Sequence, residues 1–294
     1  MDNVSKAIGT LVEEYLIQCD SADPRLAPIS SGFTTVDSLI GGFRTGEYVV
    51  IGGRPGMGKT QLLVNLAIQI SAQQIPVLYF TIDLSGAMLT KRFLATISKV
   101  PLHTIVNSKL TEIDKKTIIS ASQKLVGQPI LIHDMCSSSV DLLKGEAMHL
   151  IEKYDVKIIM VDYLQALGTR TYHNDRQSEV SVVSGELKSL AREYNVCVIA
   201  TSQLSRAVEF RPGSSKRPML SDLRESGAIE QDADQVVFIY RPEYYGFTED
   251  MDGNNIEDTL ELIVAKNRSG ETGIITLKRD ENSLKYRDWK VRKL

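Results

Sequence analysis

The stretch "IGGRPGMGKTQLL", residues 51–63, decides how the rest of the chain is read. Gly53, Arg54, Pro55, Gly56, Met57, Gly58, Lys59 and Thr60 fit G-x-x-x-x-G-K-[ST]; the segment follows an apolar strand pattern and opens a helical one. In that context the glycines turn successive backbone N–H groups onto phosphate, at the positive end of a helix dipole. Lys59 then reaches the β- and γ-phosphates of ATP, and the Thr60 hydroxyl holds Mg2+. Motors, switches and kinases all use such a loop, so the remaining sequence must say which this is.

Outward from the loop, apolar runs alternate with helical patterns: "EYVVIGG", "PVLYFTID", two helical stretches, "PILIHD", a helix, "VKIIMVD", a helix through "VSGELKSLAREYN", and "VCVIATSQ". Strands that are apolar almost throughout and separated by helices belong in a parallel sheet covered on both faces, so the core is α/β. Past residue 235 the pattern becomes "QVVFIYR", "TLELIVAKNR", "GIITLKRD" and "SLKYRDW", joined by short turns. These are expected to extend one sheet edge with antiparallel or mixed strands. Before the core, Val4, Ala7, Ile8, Leu11, Val12, Tyr15 and Leu16 stand at helical spacing, and "DSADPRLAPISSG" reads as a linker. The division expected is an amphipathic helix and linker over 1–28 and an ATPase domain over 29–294. That helix either folds back on its own domain or docks elsewhere.

Composition removes several classes of function. With 294 residues, 43% hydrophobic and 24% charged, the chain can build one large core or two modest ones. Its mean hydropathy is −0.10, no apolar run approaches the roughly 20 residues of a membrane span, and a cytoplasmic setting with no membrane partner is expected. Three cysteines without CxxC pairing suggest neither a disulfide framework nor a zinc site, and the histidines lack ligand spacing. The net charge of −3 argues against global attraction to nucleic acid and leaves that task to local basic loops.

Such loops exist beside the candidate chemistry. Asp162, ending "KIIMVD", is placed to hold the metal from the side opposite Thr60. Asp83, ending "LYFTID", is the candidate carboxylate for activating water, with a plain turn aspartate as the alternative. Gln203, at the tip of "VIATSQ", is either a solvated amide or one that touches the γ-phosphate and reports it to the following loop. The loop after Asp162 carries Arg170 and Arg176, and the loop after Gln203 carries Arg206, Arg211, Lys216, Arg217 and Arg224. Few aromatics interleave, which favours tracking of a phosphate backbone over base stacking. Lys266 and Arg268, alternating in "AKNRSG", project from one strand face.

Several blocks in order carry a family resemblance: "GFTTVDSLIGGFRTGEYVVIGGRPGMGKT", "VDYLQAL", "SLAREYNVCVIATSQLSR", "RPMLSDLRESGAIEQDADQVVFIYRPEYY" and "AKNRSG". From about Ile29 to Trp289 the chain resembles the RecA-like C-terminal motor domain of DnaB-family replicative DNA helicases. The resemblance implies an ATP-hydrolysing homo-hexameric ring that translocates on single-stranded DNA and unwinds duplex. It makes Lys59 and Thr60 the nucleotide and metal contacts, Asp162 the second metal carboxylate and Gln203 the γ-phosphate sensor. It makes Lys266 and Arg268 a finger pair that completes a neighbouring subunit's site, and Arg224, Glu225 and Gly227 the element that follows single-stranded DNA. Asp83 stands where the family usually has a catalytic glutamate, and Asn267 where it commonly has glutamine. The N-terminal helix resembles the family's linker helix. The family's N-terminal helical domain, through which primase and a helicase loader engage, has no counterpart in these residues; a fragment or a short form is expected. A RecA- or KaiC-like ATPase and a non-motor ATP-binding scaffold are the alternatives.

Overall fold

The structure is a computed structural model describing residues 7–10, 12, 13, 16, 27–169, 176–211, 216–223, 227–250, 252–280 and 283–293. In chain order it runs α1 (Thr34–Ile40), β1 (Tyr48–Gly53), α2 (Lys59–Ser71), β2 (Val77–Thr81), α3 (Gly86–Ser98), α4 (Leu102–Val106), α5 (Glu112–Ser122) and β3 (Ile130–Asp134). It continues with α6 (Val140–Tyr154), β4 (Ile158–Asp162), α7 (Arg176–Glu193), β5 (Cys197–Gln203), α8 (Gly227–Asp232), β6 (Gln235–Tyr240), β7 (Thr259–Asn267), β8 (Gly273–Arg279) and β9 (Tyr286–Lys293).

All nine strands form one sheet in the order β3-β2-β4-β5-β1-β6-β7-β8-β9. From β3 to β6 every pairing is parallel, and from β6 to β9 every pairing is antiparallel. The α/β core and its antiparallel extension are therefore as the apolar runs imply. The period of two along β1 divides the core: Val49 and Ile51 join the cluster beneath α1, α2 and α3, while Tyr48 and Val50 join the one beneath α6, α7 and α8. Each residue of β1, β2, β4 and β6 is buried, as a sheet covered on both faces requires.

Between β2 and β3 the structure has three helices where the sequence pattern suggested two. Lys99 turns left-handed after α3, and Pro101, which lacks an N–H to continue a helix, caps the five-residue α4. Of the N-terminal segment, Ile8, Val12 and Leu16 are helical with 76%, 48% and 55% of their surface exposed, so these three side chains do not pack into the domain core.

The architecture gathers chemistry at one edge. The parallel strands share a direction, so the C-terminal ends of β1, β2, β4 and β5 meet outside the same side of the sheet, where ligands of open α/β sheets bind. The register aligns Gly53 with Gln203 and Thr81 with Asp162.

Candidate nucleotide and nucleic-acid site

The phosphate loop leaves β1 at Gly53 and enters α2 at Lys59. Gly56 and Gly58 have φ of +79° and +98°, a region costly for any residue with a Cβ. At Gly58 a Cβ would also stand 3.2 Å from the Tyr286 hydroxyl. The Lys59 ammonium donates to the carbonyl oxygens of Gly53 at 2.8 Å and Arg54 at 3.3 Å. Burial pushes its pKa down to about 8; the Asp162 carboxylate opposes that shift, and the Arg54 guanidinium adds to it. The Arg54 guanidinium is engaged by the segment after β5: its Nε donates to Glu209 at 2.9 Å and its Nη1 to the Leu204 carbonyl at 2.8 Å. The phosphate loop is thereby tied to the segment after β5.

Asp162, only 6% exposed, accepts three hydroxyls: Thr60 at 2.6 Å and Tyr79 at 3.1 Å on Oδ2, and Thr201 at 2.6 Å on Oδ1. Burial and the same carboxylate push the Tyr79 phenol well above its ordinary pKa, so it stays a donor. The Thr60 hydroxyl beside a carboxylate is a hard-oxygen donor set that fits Mg2+. Among the described residues no group of three or more His, Cys, Asp or Glu forms an all-protein cage. Mg2+ shared with substrate phosphates needs one or two carboxylates rather than a cage.

Asp83 lies beyond the strand that the sequence pattern has it end. β2 stops at Thr81, and Asp83 lies two residues beyond on an exposed bend, beside the strand that bears Asp162. Gln203 is the exposed last residue of β5, next to Gly53. Its backbone is held by a residue the sequence reading left unassigned. Gln165 Oε1 accepts from the Gln203 N–H at 3.0 Å, and Gln165 Nε2 donates to Ser202 Oγ at 2.8 Å and to the Gln203 carbonyl at 3.2 Å.

Several cations expected to face nucleic acid have partners within the chain. Arg176 opens α7 instead of lying in the preceding loop, and its guanidinium binds Glu179 and the Gln165 carbonyl. Arg211 pairs with Asp222 at 2.6 Å; Arg217 forks onto Glu261 at 2.7 and 2.8 Å and covers the Tyr240 ring. Arg206 is exposed, and so is Phe210 at 82%, an aromatic to which the sequence reading gave no weight. Gly227 is the exposed first residue of α8. Arg170, Arg224 and Glu225 lie outside the described residues.

Lys266 and Arg268 sit at the other end of the sheet. Lys266 pairs with Val236, which pairs with Val50, and the Arg268 N–H bonds the carbonyl of Asp234 just ahead of β6. Lys266 Nζ donates to the carbonyls of Glu230 and Gln231 at 2.5 and 3.4 Å; Arg268 donates to Gln231 O at 2.7 Å and Asp234 Oδ1 at 3.2 Å. Burial and the Arg268 charge lower the Lys266 pKa.

Residues 28–288 match the family model described as the DnaB-like helicase C-terminal domain. Over 92% of its length the chain is 39% identical to a probable replicative DNA helicase of Trieres chinensis, and over 91% it is 37% identical to replicative DNA helicase DnaB of Geobacillus stearothermophilus. It spans 59% and 58% of those two proteins. Among solved structures, one described as an ATPase domain superposes with a TM-score of 0.87 at 31% identity, covering 98% of this chain and all of that one. A DnaB-like replicative helicase, described with its interactions with primase, gives 0.84 at 32%, covering 98% of this chain and 68% of that one.

Proposed function

The chain belongs to the family of DnaB-like helicase C-terminal domains, and on that ground we propose that it is the ATP-driven motor of a replicative DNA helicase. Subunits assemble as a homo-hexameric ring, hydrolyse ATP between neighbours, and move along single-stranded DNA to part the duplex. Primase and a helicase loader are the protein partners of the assembled machine.

The observation that carries this reading is the separation of Arg268 from its own phosphate loop. Arg268 is level with Tyr48, five residues before Gly53 along β1. At about 3.3 Å per residue that is roughly 16 Å, beyond what an arginine spans. A cation that serves phosphoryl transfer from there must serve another copy's nucleotide, as trans-acting arginine fingers do. In a closed ring of head-to-tail contacts each subunit then gives one pocket its cradle and the next its finger.

Within that pocket the loop from Gly53 to Thr60 binds the phosphates, and Lys59 exchanges its carbonyl partners for phosphate oxygens. Thr60 and Asp162 would hold Mg2+, which would supply positive charge beside the transferring group. Asp83 takes the proton of the attacking water as the γ-phosphorus gains that oxygen and parts from the β–γ bridge, whose electrons stay with ADP. Gln203 senses the γ-phosphate, and Arg224, Glu225 and Gly227 follow the strand.

The test is unwinding of a forked duplex beside ATPase with and without single-stranded DNA. ATP-dependent unwinding and DNA-stimulated turnover, both abolished in Lys59→Ala, are the expected results. Strand exchange without unwinding would reassign the chain to the recombinases. Tight ATP binding with no DNA-stimulated turnover would make it a scaffold.

A further inference from the structure

Every polar atom of Asp234 is engaged, although the residue is only 7% exposed. Its N–H donates to the Tyr48 carbonyl at 2.8 Å, and its own carbonyl accepts the Arg268 N–H at 3.0 Å. Oδ2 accepts the Tyr48 N–H at 2.7 Å and the Lys188 ammonium at 2.5 Å, while Oδ1 accepts Arg268 Nη1 at 3.2 Å. Tyr48 is the first residue of the central strand β1, and Lys188 comes from α7, so the carboxylate is held by two elements of the core. Arg268, half-exposed, rests on that carboxylate and on Gln231 O. Two of its five N–H donors meet partners among the described residues, and about half of the side chain is exposed.

We propose that Asp234 is a positioning residue for Arg268: clamped between Tyr48 and Lys188, it sets where the guanidinium stands when it enters an adjoining copy's nucleotide site. The inference rests on the trans-acting role given to Arg268 above. A long, flexible side chain loses much conformational freedom when it engages a phosphate across an interface, and a fixed carboxylate removes part of that loss beforehand. Lys188 leaves Asp234 bound even when the finger is drawn toward phosphate, so the bracket itself does not move.

Mixed rings test this, because a defect in the finger and a defect in the cradle fall on different subunits. Asp234→Asn is expected to lower DNA-free ring turnover at least about 10-fold with KM for ATP and monomer affinity for a fluorescent ATP analogue unchanged, the signature of an interaction made only in the transition state. Mixed equally with Lys59→Ala subunits, which keep a sound bracket, it regains activity: about one site in four then combines an intact cradle with an intact finger. Asp234→Glu, which keeps the charge, guards against loss of fold and is expected to show a smaller kcat loss, the same unchanged KM and the same rescue. Arg268→Ala mixed with Lys59→Ala is the control for the underlying reading. If that control pair recovers turnover and neither Asp234 variant does, or if the variants raise KM instead, the positioning role is overturned. If the control pair itself stays inactive, the trans-acting assignment of Arg268 fails, and the bracket's role falls with it.

Discussion

At Lys59 the cost of burial meets the need for charge. In the free protein its pKa stands near 8 against an ordinary 10.5, so above pH 8 the side chain is largely neutral. Polyphosphate favours the charged form, so binding there must draw in a proton. ATP affinity is therefore expected to be flat below about pH 8 and to fall as pH rises through it. Titration calorimetry in buffers of different ionisation heat checks this through net proton uptake on the alkaline side. The same shift has the opposite sign for folding: between about pH 8 and 10.5 the unfolded chain binds more protons than the native one, so this group's contribution to stability rises with pH. Asp83 presents a different case, an exposed carboxylate two residues beyond its strand. If it takes the water's proton, Asp83→Asn lowers kcat by about 100-fold or more with little change in KM. Steady-state turnover at saturating ATP measures it, and full activity in the variant would remove Asp83 from the role.

At the tip of β5 local contacts tie one strand to the loop beside it. Backbone pairing of β4 with β5 last aligns Val161 with Ala200, after which the chain past Asp162 turns into a short 3-10 helix, Leu164–Ala166. The Gln165 amide then takes the place of a neighbouring strand, satisfying both backbone groups of Gln203. Its own carbonyl receives Arg176, and Glu179, one turn into α7, receives both Arg176 and the Thr169 N–H. Both sides of the basic loop after Asp162 are thus attached to the strand that carries Gln203. Gln165→Ala is expected to reduce the ratio of DNA-stimulated to DNA-free turnover toward one while ATP affinity holds. A ratio unchanged from wild type would show that the two elements do not communicate through this side chain. The "VDYLQAL" block contains Gln165 in plain view, but nothing in its spacing says that an amide three residues past Asp162 would reach across to another strand.

For the whole molecule, what the sequence disclosed and what it withheld divide by range. Apolar runs and short turns are local signals, and they carried all nine strands, the parallel core and an antiparallel or mixed edge. The phosphate loop was equally legible because its eight residues are contiguous and its turns are set by its own glycines. Pairings between distant residues had no such signal: Lys188 with Asp234, Arg217 with Glu261 and Tyr79 with Asp162 bring together residues 46, 44 and 83 positions apart. For that reason Arg211 and Arg217 read as DNA-facing cations, although each is paired with a carboxylate of its own chain. The same long-range assembly places Arg268 at the end of the sheet remote from Gly53, and the proposal of a shared pocket rests on that distance. The direct test is turnover per subunit measured across protein concentration, with oligomeric state determined in the same buffer, for wild type and Arg268→Ala. The predicted result is turnover that rises with the ring fraction and collapses to the monomer level in the variant; monomers that hydrolyse ATP at the ring's rate, indifferent to Arg268→Ala, would contradict it.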